Sequence, residues 1–499
     1  MGKLAWIVHG LFGIVLVAGI IGMAVYGSYL EARGPFLLVN NYIALWLTSL
    51  LTFFTLQSFY TLIAPHPHYE QFAFALIQFI YHFLTGSLCL IICVGYALYG
   101  RVELAIWSAV ATIICWINIY LVIYVRRDKL LDYTKKNIIA MIVSVFNWLL
   151  RFCFLVMACF LAAGALYHGT GAVAYPPRGT LHTVTLPDGR SQSVHVYCEG
   201  PVNASIPVVL WEGSAAHGYA DYLGLQRVVS EQHFRSCSWD KVGLGWSDYM
   251  LVDQHGPEGY YHSLIESVKQ TERAPFIFVG WGAGGAFVYD YAAHHPENVA
   301  AIIYVDAYPI HADWLALKDL INMTDAQVNA TMANDVQDGI RGARMHNVIG
   351  VPWGLMSALL PADHSYPEEL RSEKRWFYLT EKMRITQRWV FEDLPNQRDV
   401  FAQNITGNIT VSAVMSAWNA SQVGRLVCDT LKLDNDACDL QKKNNDWMID
   451  AKKGLVKNGG MIVECREDVC DQGYFVDVSP HYTVNQIVRI WEYVRPRVS

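Results

Sequence analysis

The chain has 499 residues, of which 53% are hydrophobic and only 16% charged, with a mean hydropathy of +0.22 and a formal net charge of −7. A soluble domain carries about 25% charged residues, so this balance excludes an ordinary soluble globule and points to a membrane protein. It also excludes a nucleic-acid binder, because no basic stripe is present to meet phosphates.

The charge deficit is uneven. Residues 1–169 hold 9 Lys/Arg and 5 Asp/Glu, whereas the remaining 330 hold 28 and 39. Two units are expected, a transmembrane domain over 1–169 and a water-exposed domain over 170–499. A membrane span needs about 20 mostly apolar residues. Runs at 4–30, 36–64, 72–99, 102–125 and 138–167 meet this, giving about five spans. The first run is too long for a signal peptide and no small-residue cleavage site follows it, so it reads as a retained anchor. The linker 126–136 holds five basic residues, which places it in the cytoplasm by the positive-inside rule. Counting back gives a cytoplasmic N-terminus. Counting forward through a fifth span puts everything after about residue 170 in the lumen or outside the cell.

Three polar residues interrupt the runs. Arg151 is either a functional intramembrane charge or a boundary residue, if the last span starts near Leu149 and Asn147 lies at the interface. His9 and His82 sit one in each of two spans. A haem would want paired histidines on facing helices, so packing roles are expected and no cofactor or metal is assigned.

The second unit carries six Asn-x-Ser/Thr acceptors: Asn203, Asn322, Asn329, Asn404, Asn408 and Asn419. The five asparagines of residues 1–169 give none, and such acceptors matter only on a secretory-pathway surface. The same unit holds six cysteines, an even number that suggests disulfides in an oxidising compartment. Short spacings favour Cys428 with Cys438 and Cys465 with Cys470, leaving Cys198 with Cys237, although other connectivities are possible. The expected home is therefore a multi-pass membrane protein of the secretory pathway or plasma membrane.

From residue 180, β-rich runs alternate with helical stretches, the pattern of a mostly parallel sheet covered on both faces. Strands are expected over 180–186, 192–198, 207–211, 235–239, 276–279, 301–305, 460–463 and 474–478. The stretch 310–457, rich in Trp, Met and polar residues, reads as a large helical cap over the carboxyl ends of the strands, where open α/β sheets bind ligands.

Several segments then carry a resemblance. Pro207-Val-Val-Leu-Trp-Glu-Gly-Ser214 and Cys237-Ser-Trp-Asp-Lys-Val-Gly-Leu-Gly-Trp-Ser-Asp248 are followed by Phe278-Val-Gly-Trp-Gly-Ala-Gly-Gly285. His295-Pro-Glu-Asn-Val299, Ile303-Tyr-Val-Asp-Ala307 and Ser479-Pro-His481 complete the set. In order and spacing they resemble the α/β-hydrolase superfamily over about 175–310 and 458–497. The superfamily's nucleophile elbow is Gly-x-Ser-x-Gly, with the serine on a strained strand-to-helix turn. Here the frame is Gly280-Trp-Gly-Ala-Gly284, and Gly282 stands at the nucleophile position. The resemblance implies His481 as the residual general base, Asp468 as the acid orienting it with Asp306 second, and backbone N–H groups of Ala283 and Ser214 as oxyanion donors. The Ser214 hydroxyl lies on the wrong loop to be activated by the usual base.

Without a hydroxyl to attack, a serine mechanism loses most of its rate enhancement. The expectation is a membrane-anchored, glycosylated, non-catalytic α/β-hydrolase-like protein acting in recognition, ligand binding or assembly of a membrane complex. Its partners would be the lipid bilayer and another membrane protein or a small apolar ligand under the cap, with no nucleic acid. One alternative is an active hydrolase or lyase using His481 without the usual serine. Another is a channel or transporter subunit with an accessory outer domain.

Overall fold

The computed structural model describes residues 2–28, 41–63, 72–127, 138–185, 189–202, 206–213, 218–248, 257–307, 312–349, 368–378, 380, 409–466, 470 and 479–498. Of the expected features, Asn203, Asn404, Asn408, Ser214, Asp468 and the strand at 474–478 lie outside the described residues. The chain forms two compact units, residues 1–176 with 345–361 and residues 177–344 with 362–499.

Among its described residues the first unit holds the helices α1 (Gly2–Ser28), α2 (Asn41–Ile63), α3 (Phe72–Leu98), α4 (Val102–Arg127) and α5 (Ile138–Ala174). Among the described residues, Leu76–Leu98, Val102–Ile123 and Val145–Ala174 are long and apolar enough to cross a membrane, while Gly10–Tyr26 and Tyr42–Ser58 are shorter apolar stretches. The burial pattern is inverted relative to a water-soluble bundle. Ile113, Trp116 and Phe152 are exposed, whereas Thr55, Ser58, Asn118 and Arg151 are buried. That arrangement suits a lipid solvent, in which apolar side chains gain nothing by being hidden and polar ones must find partners inside. The buried threonines return their hydroxyls to the preceding turn, as Thr52 does to the Thr48 carbonyl at 2.7 Å and Thr55 to Leu51 at 2.8 Å. Helices α3 and α5 touch at Gly95, where an added β-carbon would fall 2.3 Å from the Ala165 carbonyl oxygen.

Arg151 is buried within the bundle. It lies inside the unbroken helix α5 with 3% of its surface exposed, and it donates through Nη2 to Gln57 Oε1 of α2. A polar residue of the facing helix α2 thus meets the guanidinium inside the bundle.

The second unit is an eight-stranded sheet in the order β1-β2-β4-β3-β5-β6-β7-β8. Its strands are β1 (Thr180–Thr185), β2 (Ser191–Glu199), β3 (Val209–Glu212), β4 (Ser236–Trp239), β5 (Phe276–Trp281), β6 (Val299–Val305), β7 (Thr410–Ser416) and β8 (Ile462–Cys465). β2 pairs antiparallel with β1 and β4, and the remaining pairs are parallel. Alternate residues of the central strands feed two cores. Leu210, Phe278 and Ile302 enter one with Leu264 and Val268 of α7 (Pro257–Lys269) and Phe287 and Val288 of α8 (Gly284–His294). Trp211, Val279 and Ile303 enter the other with Val228 of α6 (Leu223–Glu231) and Val484, Ile487, Trp491 and Val494 of the C-terminal helix Pro480–Val498. The strand period of two and the helical spacing of three to four residues produce this three-layer packing directly.

Seven of the eight strands follow the sequence pattern, but β7 falls inside the stretch 310–457 expected as a cap. It pairs with β6 on one side and β8 on the other. The insertion between β6 and β7 therefore covers 306–409, and the helix Asn435–Lys453 belongs to the β7–β8 connection. Three of its seven residues, Thr-Val-Ser-Ala-Val-Met-Ser, carry hydroxyls, and all seven are buried. Its serines are satisfied from the flanks: Ser412 Oγ accepts from Met461 N at 3.0 Å, and Ser416 Oγ donates to Asp306 Oδ1 at 2.8 Å.

All three expected cysteine pairs are bonded: Cys198–Cys237, Cys428–Cys438 and Cys465–Cys470. The first joins directly opposed residues of the antiparallel pair β2 and β4.

Candidate functional site

The site forms where β5 turns into α8. β5 ends at Trp281, Gly282 adopts φ = +55°, and α8 begins at Gly284. The turn is closed by Gly282 N donating to the Val305 carbonyl at 3.1 Å and Gly285 N donating to the Gly282 carbonyl at 3.2 Å. A side chain at φ = +55° is strained, so glycine holds this turn at no conformational penalty. At Gly284 an added β-carbon would stand 2.4 Å from the Glu212 carbonyl oxygen, which is how closely the start of α8 approaches the end of β3. Trp281 turns into the core beneath α6 and the C-terminal helix.

This is a nucleophile elbow in backbone and not in chemistry. The second unit has the α/β-hydrolase fold. Its sheet order, its antiparallel second strand and the elbow after β5 carry that assignment. No protein-family model matches the chain. An uncharacterized protein of Schizosaccharomyces pombe is 30% identical over 129 residues, 25% of this chain and 23% of that protein, so the match spans about a quarter of the relative's length. Solved structures similar to this chain include the epoxide hydrolase CorEH, at 16% identity and a TM-score of 0.41 over 63% of this chain and 99% of that one. An epoxide hydrolase mutant of Vigna radiata is 14% identical with a TM-score of 0.42, over 63% and 99% of the two chains. A thermophilic esterase from Thermogutta terrifontis is 11% identical with a TM-score of 0.41, over 64% and 100%.

The residues implied by resemblance do not all gather at the α/β-hydrolase elbow. Ala283 caps α8 immediately after Gly282. His481 lies elsewhere. Its Nε2 is 4.0 Å from Glu231 Oε2, and both side chains are 57% exposed. Glu231 ends α6 five residues before β4 begins, beside the amino-terminal ends of the parallel strands, whereas Gly282 follows their carboxyl ends. The general-base assignment of His481 is corrected on that ground: at the start of the helix Pro480–Val498, the histidine stands at the end of the strands opposite the elbow. Asp306 is equally unavailable. Its Oδ1 accepts from Ser416 N at 2.9 Å, Ser416 Oγ at 2.8 Å and Lys452 Nζ at 2.6 Å, locking β6 to β7.

Three buried polar groupings escaped the sequence reading. Glu212 at the end of β3 and Lys241 just after β4 form an ion pair at 2.5 Å with 1% or less of either side chain exposed. Lys241 Nζ also donates to the Gly213 carbonyl at 2.8 Å, and Trp239 Nε1 donates to Glu212 Oε2 at 3.1 Å. Burial pulls the Lys241 ammonium below its ordinary range, and the Glu212 carboxylate opposes that shift.

His195 and Asp240 form the second grouping, both fully buried, with Nδ1 to Oδ2 at 2.9 Å. It has the look of a catalytic dyad, but His195 Nε2 already accepts from Gly179 N at 3.2 Å, and Asp240 also accepts from Tyr219 N and Trp246 N. With both ring nitrogens engaged, this imidazole is a structural clamp. In the third grouping, Tyr219 OH donates to Glu373 Oε1 and Arg178 Nη2 to Glu373 Oε2 at 2.9 Å, while Lys374 meets Asp221 at 3.3 Å. These bonds dock the cap helix Arg371–Tyr378 on the segment after β3, and Phe377 packs on Tyr219 with ring centroids 5.3 Å apart. Paired residues scattered over 195 positions give no local motif.

Proposed function

We propose that this is a membrane-anchored, glycosylated, non-catalytic α/β-hydrolase-like protein whose outer domain acts in recognition, binding a small apolar ligand under the cap or assembling a membrane complex. The observation that carries this reading is Gly282 at φ = +55° where a nucleophile's side chain would stand. The position of His481 beside Glu231 supports it, since a water-activating base would be needed near the elbow. The inverted bundle supports membrane anchorage, and the exposed acceptors Asn322, Asn329 and Asn419 support a luminal or extracellular outer domain with a cytoplasmic N-terminus.

The test is activity-based labelling of full-length protein with a fluorophosphonate and turnover of a panel of short esters. Gly282→Ser is run alongside after its folding is checked, because serine at that φ costs about 1–3 kcal/mol. The natural protein is expected to stay unlabelled and inactive. The variant is expected to label poorly, because no histidine stands at the elbow among the described residues. Stoichiometric labelling of the natural protein at any serine would overturn the reading.

A further inference from the structure

Among the described residues of the helical unit, Tyr81 Oη and His82 Nδ1 are buried without a hydrogen-bond partner, on residues 5% and 2% exposed. A buried polar atom without a partner is destabilising, and each one calls for an explanation. Both belong to α3 and both lie within electrostatic reach of Arg151 on α5. The Arg151 guanidinium stands 5.5 Å from the centre of the Tyr81 ring and 4.9 Å from that of Trp148, and it donates to Gln57. Gln57 in turn donates to Asn147 Oδ1 at 2.8 Å. Helices α2, α3 and α5 thus bring a cation, a phenolic donor, an imidazole and two amides to one place within the bundle.

The chemistry of this set is directional. A guanidinium carries five N–H donors and no acceptor, and it matches the paired oxygens of a carboxylate or phosphate. The Tyr81 hydroxyl adds a neutral donor, and His82 Nδ1 donates in one tautomer. We propose that the Arg151–Tyr81–His82 cluster binds an oxyanion, a carboxylate or phosphate, held by the guanidinium with the Tyr81 hydroxyl donating to it. The group arrives either as the head of an amphiphile entering between lipid-facing helices or as a free anion. The site is separate from the elbow and does not depend on whether the outer domain is catalytic.

Thermal unfolding of the full-length protein in a neutral detergent tests this, with oleate, lysophosphatidate, methyl oleate, acetate and inorganic phosphate as separate probes. Oleate or lysophosphatidate is expected to raise the melting temperature by about 3 °C or more, and methyl oleate, which lacks the oxyanion, to leave it unchanged. Equal shifts from acetate or phosphate would support the site and assign a free anion as the source. Arg151→Gln is expected to abolish the shift, but this variant risks misfolding. Tyr81→Phe avoids that risk, because removing an unbonded buried hydroxyl leaves the unliganded protein as stable or more so. It is expected to weaken the apparent affinity about fivefold. The proposal fails if no oxyanion shifts the natural protein, if methyl oleate matches oleate, or if Tyr81→Phe binds with undiminished affinity.

Discussion

Lys241 reaches back from beyond the end of β4 to place its ammonium 2.5 Å from the Glu212 carboxylate at the end of β3, with neither group reaching water. The pair sits where β3 approaches the start of α8, so it braces the frame around the elbow. Removing one partner leaves the other charged and buried. Lys241→Met is therefore expected to destabilise the protein by about 3–5 kcal/mol, while Glu212→Leu/Lys241→Met together should recover much of that loss. Melting temperatures of the two single variants and the double variant decide it; a double variant as unstable as the two losses combined would show that the side chains do not act as a pair.

A second prediction concerns alkali. Burial raises the phenols of Tyr219, Tyr291 and Tyr304 above their ordinary range, with the Glu373 and Asp240 charges adding to the shift at Tyr219. The unfolded chain releases these protons near pH 10, whereas the folded chain keeps them. Below about pH 10 the contribution is fully present; above it the unfolded state binds fewer protons and stability falls as pH rises. Melting curves between pH 8 and 11 should show that decline, and Tyr304→Phe should flatten it. A slope unaltered by Tyr304→Phe would remove that residue from the account.

Glu373 holds the cap helix through Tyr219 and Arg178. Glu373→Ala leaves a buried phenol and a guanidinium without their acceptor and should loosen the helix Arg371–Tyr378. That helix contains Arg371, Lys374 and Arg375, so trypsin reports on it directly. Cleavage there should be slow in the natural protein and at least several-fold faster in the variant. Equal rates would mean that Leu370 and the aromatic contacts alone secure the cap.

Glycan attachment tests the orientation. Asn322, Asn329 and Asn419 are exposed. At Asn419 the side-chain oxygen caps the short helix Ala420–Val423 by accepting from Gln422 N at 3.0 Å, which leaves the amide nitrogen for a sugar. Endoglycosidase treatment of protein from a secretory host should lower its mass by several glycans. A protein of unchanged mass would place the second unit in the cytoplasm.

The fold was largely legible because its strands are rich in Val, Ile, Phe and Trp and are punctuated by glycine and proline turns. β7 was not, since Ser412 and Ser416 suggest a surface and only the neighbouring strands reveal their partners. The elbow was legible to the residue, because five consecutive positions define it. The histidine was not. Three residues, Ser479-Pro-His481, resemble a catalytic turn in sequence, but only the position of the C-terminal helix shows at which end of the strands they lie. Glu212 with Lys241 and His195 with Asp240 were invisible for a related reason: each pair is made by strand register, which joins positions 29 and 45 residues apart.

The insertion between β6 and β7 sets a timetable for synthesis. β6 ends at Val305 and its parallel neighbour β7 begins at Thr410. A ribosome adding about 5–20 residues per second needs roughly 5–20 s to cross that interval. During this time the apolar strand β6 keeps an unpaired edge, the kind of surface that pairs with other chains. Ribosome-bound chains halted before residue 410 should accordingly be far more prone to aggregate, or to be held by chaperones, than released full-length chains, in which β7 and the Lys452 anchor for Asp306 are both available.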